Sequence, residues 1–398
     1  MIKVLLISPT DPKKPKGLKL LVGGENTYTQ TLLKSPPRDV VYTYHMDALK
    51  KGLIEYLPLH HLLKNLVKFR ILPLSAGTEA IKVNDDFDLI HCHGYSVKIV
   101  GKKIPIVVSD SSSNFLFLRD YVKWPKWRIK MGYFMRRQLF RWLGIIDCDT
   151  NWQEAKKIVV LSKFAMKVHQ KLGVPARKID VVYPGIEESL HYSSNEMRSY
   201  LKNSNKYGSN KGKFSLRSNN NRKDLNILFV GIWFERKGGP LLLEAFKKLS
   251  GKYPNITLTI IGEVPKKLKV ESGKLKVYNF VPREKLMREI FPKADIFVLV
   301  PPKAEGFGFA VLEAMSFGIP AVVTNVYALP ELVEDGKTGY VIEPGNLEQI
   351  IEKLGLLIDN NGLREAMGEA AKKMFDQKFK IGIANGKLFE IYRQAVMT

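Results

Sequence analysis

PPKAEGFGFAVLEAMSFGIPAVVTNVYALPELVEDGKTGYVIEPG, residues Pro301 to Gly345, is the stretch from which the fold can be read. It follows ADIFVLV (Ala294 to Val300), a continuous apolar run of the kind that a parallel strand buried on both faces requires. Gly306 and Gly308 then supply a turn at which backbone amides can approach a ligand closely. A helix is expected to begin near Phe309, with its amide-rich, partially positive end aimed at the crevice, where a diphosphate would be stabilised. Glu305 and Glu313 bracket the turn with seven residues between them. Glu313, about one helical turn in, can accept hydrogen bonds from two ribose hydroxyls, and Glu305 can do the same for a bound hexose. A sugar nucleotide suits this geometry.

The stretch resembles the sugar-donor half of the retaining, nucleotide-sugar-dependent glycosyltransferases of family 4 (glycosyl transferases group 1). The likeness extends through EAMSFGIPAVVTN (Glu313 to Asn325), ALPELVEDGKTGYVIEPGN (Ala328 to Asn346) and LREAMGEAAKK (Leu363 to Lys373). It implies the GT-B fold: an α/β chain with two Rossmann-like, doubly wound domains facing across a cleft. The rest of the sequence has the matching alternation of strand and helix patterns. KVLLIS (Lys3 to Ser8), FDLIHCH (Phe87 to His93), IPIVVSD (Ile104 to Asp110), AKKIVVLS (Ala155 to Ser162) and KIDVVYPG (Lys178 to Gly185) read as parallel strands of a first domain. LNILFVG (Leu225 to Gly231), ITLTIIG (Ile256 to Gly262) and KVYNFVP (Lys276 to Pro282) read as strands of a second. Between them, 188–224 is rich in Ser, Asn, Lys and Gly and poor in apolar residues, the composition of a linker or inserted loop. The expected division is an acceptor domain over 1–187, the linker over 188–224 and a sugar-nucleotide domain over 225–384. A last helix from about 385 to 398 is expected to cross back onto the first domain.

After the strand ending at Gly231, FERKGG places Arg236 and Lys237 beside Gly238 and Gly239. Two cations there can neutralise a diphosphate through charge-assisted hydrogen bonds. The resembled family usually has an arginine directly after the strand-ending glycine, where this chain has Ile232, and Arg236 is the candidate to supply that second charge. The paired Gly23 and Gly24 after the first strand correspond to glycines that face the cleft near the sugar donor in the family. DLIHCHG matches the family pattern Asp-x-x-His-x-His, which marks His93 as the residue expected to contact the donor sugar or orient the acceptor, and His91 as structural. The catalytic candidates are therefore His93, Glu305, Lys237 and Arg236. The donor-binding candidates are Gly23, Gly24, Gly231, Arg236, Lys237, Val281, Glu305, Gly306, Phe307, Gly308, Phe309 and Glu313, with Phe280 and Val281 covering the base.

No cofactor is expected beyond a UDP- or GDP-sugar as co-substrate, and no metal, because a fixed cationic cluster can stabilise the departing diphosphate at the transition state. No lysine stands in a context that pyridoxal phosphate would need, which disfavours a phosphorylase. The resemblance implies transfer with retention to a glycan or lipid-linked acceptor. A non-catalytic sugar-nucleotide or polyanion-binding protein that kept the fold is the alternative, favoured by Ile232.

A chain of 398 residues suits two domains, and its net charge of +24 implies an anionic partner. The excess is concentrated in Arg119 to Gly144, where lysines and arginines interleave with aromatics. Trp124, Trp127, Arg128, Arg136 and Arg137 are the candidates for contact with an anionic membrane surface; the competing reading is an amphipathic helix whose aromatics pack in the core. A basic, apolar stretch from Lys50 to Arg70 is expected to share that face. Nucleic acid is not expected, since no recognition module is present. The opening MIKVLLISPT reads as a strand rather than a signal peptide. Two cysteines, Cys92 and Cys148, give no disulfide framework. The expected location is cytoplasmic, peripheral on the inner face of the cell membrane.

Overall fold

The computed structural model describes residues 1–8, 24–59, 78–120, 123–187, 224–265 and 274–397. The first half contains β1 (Ile2–Ile7), β2 (Val40–Tyr44), β3 (Ile54–Tyr56), β4 (Thr78–Val83), β5 (Leu89–His93), β6 (Ser96–Gly101), β7 (Ile106–Asp110), β8 (Lys157–Val160) and β9 (Ile179–Val181). One sheet runs β2-β1-β5-β7-β8-β9 with every pairing parallel. The second half contributes β10 (Leu225–Val230), β11 (Ile256–Ile261), β12 (Leu275–Tyr278), β13 (Ile296–Leu299), β14 (Ala321–Thr324) and β15 (Gly339–Ile342). These form a second parallel sheet in the order β12-β11-β10-β13-β14-β15. Two Rossmann-like units therefore face one another across a cleft.

The central strands explain the architecture. All residues of β5, β13 and β14 are buried, as a sheet covered by helices on both faces requires. Each buried side chain such as Phe297 or Leu299 contributes about 1.5–3 kcal/mol of apolar transfer energy. In the first sheet the strand order reverses between β1 and β5, and in the second between β10 and β13. Open α/β sheets hold ligands beyond the carboxyl ends of the strands at such reversals. His93 ends β5, and the loops 231–239 and 301–308 follow β10 and β13.

A small third sheet, β3-β4-β6, pairs β3 antiparallel to β4 and β4 parallel to β6. Neither this sheet nor β2 was anticipated, because their strands lack a continuous apolar run or a clean period. The expected linker lies outside the described residues except for Asp224, as do residues 60–70 of the second basic stretch.

The final helix and Glu331 are among the contacts that join the units. The last helix, Ile381–Met397, lies on the first sheet: the Tyr392 hydroxyl is 2.8 Å from that of Tyr42 and 2.6 Å from His91 Nδ1, and Asn385 donates to the Ser35 carbonyl at 2.9 Å. Across the cleft, Glu331 accepts the Lys163 and Phe164 amides at 2.8 and 2.7 Å and the Tyr183 hydroxyl at 2.8 Å. It thereby supplies a carboxylate to the amino end of the helix Lys163–Lys171, which suits the partial positive charge there. Glu331→Ala should cost about 1 kcal/mol, the worth of a lost helix cap, and loosen the closed arrangement. A lower melting temperature with a larger radius of gyration is the expected result; unchanged values of both would show that the units are held by other contacts.

Candidate functional site

The loops after β10 and β13 converge on one buried ion pair. Lys237 Nζ lies 2.8 Å from Glu305 Oε2, and Arg236 Nη1 lies 3.7 Å from the same oxygen and 3.5 Å from the Ala304 carbonyl. The Arg236 guanidinium also sits 5.6 Å from the Trp233 ring centroid. Burial would raise the Glu305 carboxyl, but Lys237, Arg236 and the Gly306 amide outweigh it and hold Glu305 below the usual carboxylate range. Burial pushes the Lys237 ammonium down, Arg236 adds to that shift, and Glu305 only partly opposes it. The approach depends on Gly238, whose φ of +87° is left-handed and whose Cβ would lie 1.9 Å from the Val300 carbonyl oxygen. Gly231 lets the Lys237 side chain pass, since a Cβ there would meet it at 3.1 Å.

Gly308, at φ +97°, precedes the helix Phe309–Ser316. Phe307 and Phe309 are buried and pack against each other with centroids 5.6 Å apart, so their contribution to a cleft ligand comes from backbone rather than from rings. Gly306 faces the first unit: a Cβ there would be 3.6 Å from Ser111 Oγ, just beyond β7. Glu313 is buried and ion-paired with Arg283. Arg283 was missed from the sequence; its signal is its place directly after the Phe280–Pro282 segment. Val281 is buried and Phe280 is exposed.

In the first unit, His93 is fully buried, with Nδ1 2.8 Å from Ser109 Oγ and its ring centroid 4.4 Å from that of Tyr28. His91 Nε2 reaches the same Ser109 oxygen at 2.7 Å. Gly24 begins the helix Gly24–Lys34; Gly23 lies outside the described residues. Asp110, Asp149 and His169 also meet, from three separate segments that give no spacing signal. Protein groups already bond the two carboxylates, with the Tyr133 hydroxyl 2.8 Å from Asp149 Oδ2 and the Ser112 amide 3.2 Å from Asp110 Oδ1.

The basic aromatic segment divides in a way that the sequence did not reveal. Arg136 is wholly buried, ion-paired to Asp147 at 2.6 Å and 4.7 Å from the Phe140 ring centroid. It is a core residue, and its assignment to a membrane face is corrected. Trp124 is half-buried against Leu118, Ile129 and Tyr133, with Arg128 stacked 4.2 Å over its ring. The exposed stripe of the helix Lys126–Leu143 is instead Trp127, Met131, Phe134, Met135 and Trp142, with Trp142 82% and Trp127 65% exposed. Their three-to-four-residue spacing was the available signal. Phe134 and Arg137 also line a groove of about 780 Å³ between the units. Its other walls include Phe115, Phe164, Lys130, Lys171, Lys303 and Tyr327, and no carboxylate lines it among the described residues. Phe164 and Tyr327 stack across the boundary with centroids 4.5 Å apart.

Family models match both halves: Glycosyltransferase Family 4 over residues 23–190 and Glycosyl transferases group 1 over 211–374. The chain is a glycosyltransferase with the GT-B fold. It is related to both groups, and the non-catalytic alternative is set aside. The capsular polysaccharide biosynthesis glycosyltransferase CapM of Staphylococcus aureus is 28% identical over 42% of this chain, a match spanning 45% of CapM itself. An uncharacterised glycosyltransferase of Methanocaldococcus jannaschii is 25% identical over 90% of this chain and 91% of its own length. Anabaena HepE, solved with UDP-glucose, superposes with a TM-score of 0.62 at 15% identity, covering 99% of this chain and all of HepE. That likeness shows the fold.

The buried pair gives a stability prediction. Lys237→Met alone should cost about 3–5 kcal/mol, because it strands the Glu305 carboxylate, whereas Lys237→Met with Glu305→Leu should cost less than the single change. Denaturant melts of the wild type and the two variants test this, and a double variant no more stable than Lys237→Met would contradict it.

Proposed function

We propose that the protein transfers a sugar, with retention of anomeric configuration, from a UDP- or GDP-sugar to a glycan or lipid-linked acceptor at the cytoplasmic face of the membrane. In this reading, 1–187 with the final helix from about 385 to 398 is the acceptor domain, 225–384 binds the sugar nucleotide, and 188–224 links them. The observation that carries it is the convergence of Lys237, Arg236 and Glu305 at the strand-order reversal of the second sheet, beside the helix starting at Phe309. HepE, captured with UDP-glucose on the same fold, supports the choice of co-substrate.

The chemistry follows from where charge develops. Breaking the bond from anomeric carbon to phosphate leaves positive charge on the sugar and negative charge on the nucleoside diphosphate. Lys237, Arg236 and the amides at Gly308 and Phe309 act on the second of these, and fixed cations stabilise the transition state more than the ground state. Arg236 stands in for the arginine that Ile232 displaces. Glu305 binds hexose hydroxyls while holding Lys237 in place, Glu313 binds the ribose, and Gly231, Gly306 and Val281 line the path of the nucleotide, with Gly23 and Gly24 facing it from the first domain. His93 contacts the sugar. Because Lys237 is depressed by burial, turnover should fall on the alkaline side earlier than an exposed lysine would dictate. Lys237→Arg should move that limb upward, and a limb unchanged in the variant would remove Lys237 from the rate-determining charge.

The interdomain groove fits an amphipathic, anionic acceptor: aromatic walls for an apolar chain, Lys130, Lys171 and Lys303 for a phosphate or carboxylate. The stripe from Trp127 to Trp142, flanked by Arg128 and Arg137, borders the groove and suits the headgroup level of an anionic bilayer. Among the described residues no helix is long and apolar enough to cross a membrane. Changing Trp127, Phe134 and Trp142 together to Ser should abolish co-sedimentation with anionic vesicles while leaving the fold intact; undiminished binding would place the membrane contact elsewhere.

The function itself is tested by nucleotide release across UDP- and GDP-sugars, with and without chelator. Release from one class, resistant to chelator and lost in Glu305→Ala and Lys237→Ala, is expected. Release that survives both substitutions would overturn the assigned site.

A further inference from the structure

Five polar groups form one continuous chain through the buried heart of the first unit. Tyr42 and Tyr392 hydroxyls are 2.8 Å apart, Tyr392 is 2.6 Å from His91 Nδ1, His91 Nε2 is 2.7 Å from Ser109 Oγ, and Ser109 Oγ is 2.8 Å from His93 Nδ1. The chain begins on β2, passes through the last helix, and ends at the carboxyl ends of β5 and β7. Tyr392, His91, Ser109 and His93 are all fully buried. Burial, with a smaller effect from His93, lowers the His91 pKa to about 3, so His91 is neutral and carries a single ring proton.

A neutral imidazole has one donor and one acceptor nitrogen, and a serine hydroxyl has one proton. With the Ser109 proton spent inside the chain, those counts allow two self-consistent polarities. In one, Tyr392 donates to His91 Nδ1, His91 Nε2–H donates to Ser109, and Ser109 donates to His93 Nδ1, so the His93 proton is on Nε2. In the other, every bond is reversed: His93 carries its proton on Nδ1, and the last hydrogen of the chain sits on Tyr42. Phenol is the stronger donor and imidazole nitrogen the stronger acceptor, which favours the first. The reversed polarity also requires an acceptor beyond the Tyr42 hydroxyl, and among the described residues that hydroxyl is bonded to Tyr392 alone.

We infer that Tyr392, from the C-terminal helix, is a positioning residue that acts through His91 and Ser109 to hold His93 in the Nε2–H tautomer, as a hydrogen-bond donor. The inference rests, for its catalytic meaning, on the proposed contact between His93 and the transferred sugar. It also gives the crossing of the last helix onto the first sheet a role in the site: the side chain that orients the chain is carried by the segment that follows the second domain. A sugar hydroxyl or ring oxygen would then be met by an N–H rather than by a bare nitrogen.

The test uses the full-length protein with nitrogen-15 histidine labelling and reads the His93 tautomer by NMR, assigned with His93→Gln. The wild type should show one tautomer, protonated at Nε2. Tyr392→Phe, which keeps the ring and removes only the hydroxyl, and Ser109→Ala, which breaks the chain next to His93, should each yield a mixture of tautomers. The double variant should be no worse than the more affected single one, as expected for groups acting in series. If both single variants retain the wild-type His93 tautomer, or if the wild type is protonated at Nδ1, the inference fails. Turnover is read separately. It should drop about tenfold in Tyr392→Phe, the scale of one lost buried hydrogen bond. A tautomer change together with turnover insensitive to His93→Gln would overturn the proposed sugar contact and leave the positioning intact.

Discussion

A buried carboxylate held by two cations governs the second half of the molecule. Glu305 and Lys237 come from loops that follow different strands, β13 and β10, and their 2.8 Å contact requires both loops to lie at the point where the sheet's strand order reverses. Gly238 has no room for a side chain beside Val300, and Gly308 turns the chain into the helix at Phe309. Each is a local cost set against one arrangement. Buried charges without partners are expensive, and a pair with a third charge nearby is stable only in a narrow geometry. The same arrangement leaves positive charge and helix amides gathered on one side of the cleft, which is what a departing diphosphate needs.

The first half answers with a different device. At the end of β5 it places a row of hydrogen-bonded hydroxyls and imidazoles that runs from Tyr42 to His93. Neutral hydrogen bonds in a low-dielectric interior are directional, and a single misplaced proton propagates along the row. The two halves therefore contribute unlike chemistry to the cleft: fixed charge from one sheet, and a hydrogen-bonding group of defined polarity from the other. Glu331 and the final helix tie them together.

The fold was legible because parallel strands buried on both faces announce themselves as apolar runs, as IFVLV and ILFV did. Glu305 and Lys237 were each singled out by a motif carrying glycines where backbone must approach closely, but their ion pair was not anticipated. What escaped was of two kinds. Strands such as β3 and β6 owe their form to tertiary neighbours rather than to a period. Arg136 looked like its neighbours in a basic run, and nothing in the sequence distinguishes an arginine neutralised by Asp147 from one in solvent. Arg283 and Tyr392 escaped for the same reason, since their partners Glu313 and His91 lie 30 and 301 positions away.

The most direct measurement is a crystal structure of the protein grown with an intact UDP- or GDP-sugar, whichever stabilises it against heat. The account predicts the diphosphate within hydrogen-bonding distance of Lys237 Nζ and the amides that open the helix at Phe309, with the hexose between Glu305 and His93. A diphosphate bound at any other place, with the pair of Glu305 and Lys237 untouched by ligand, would contradict it.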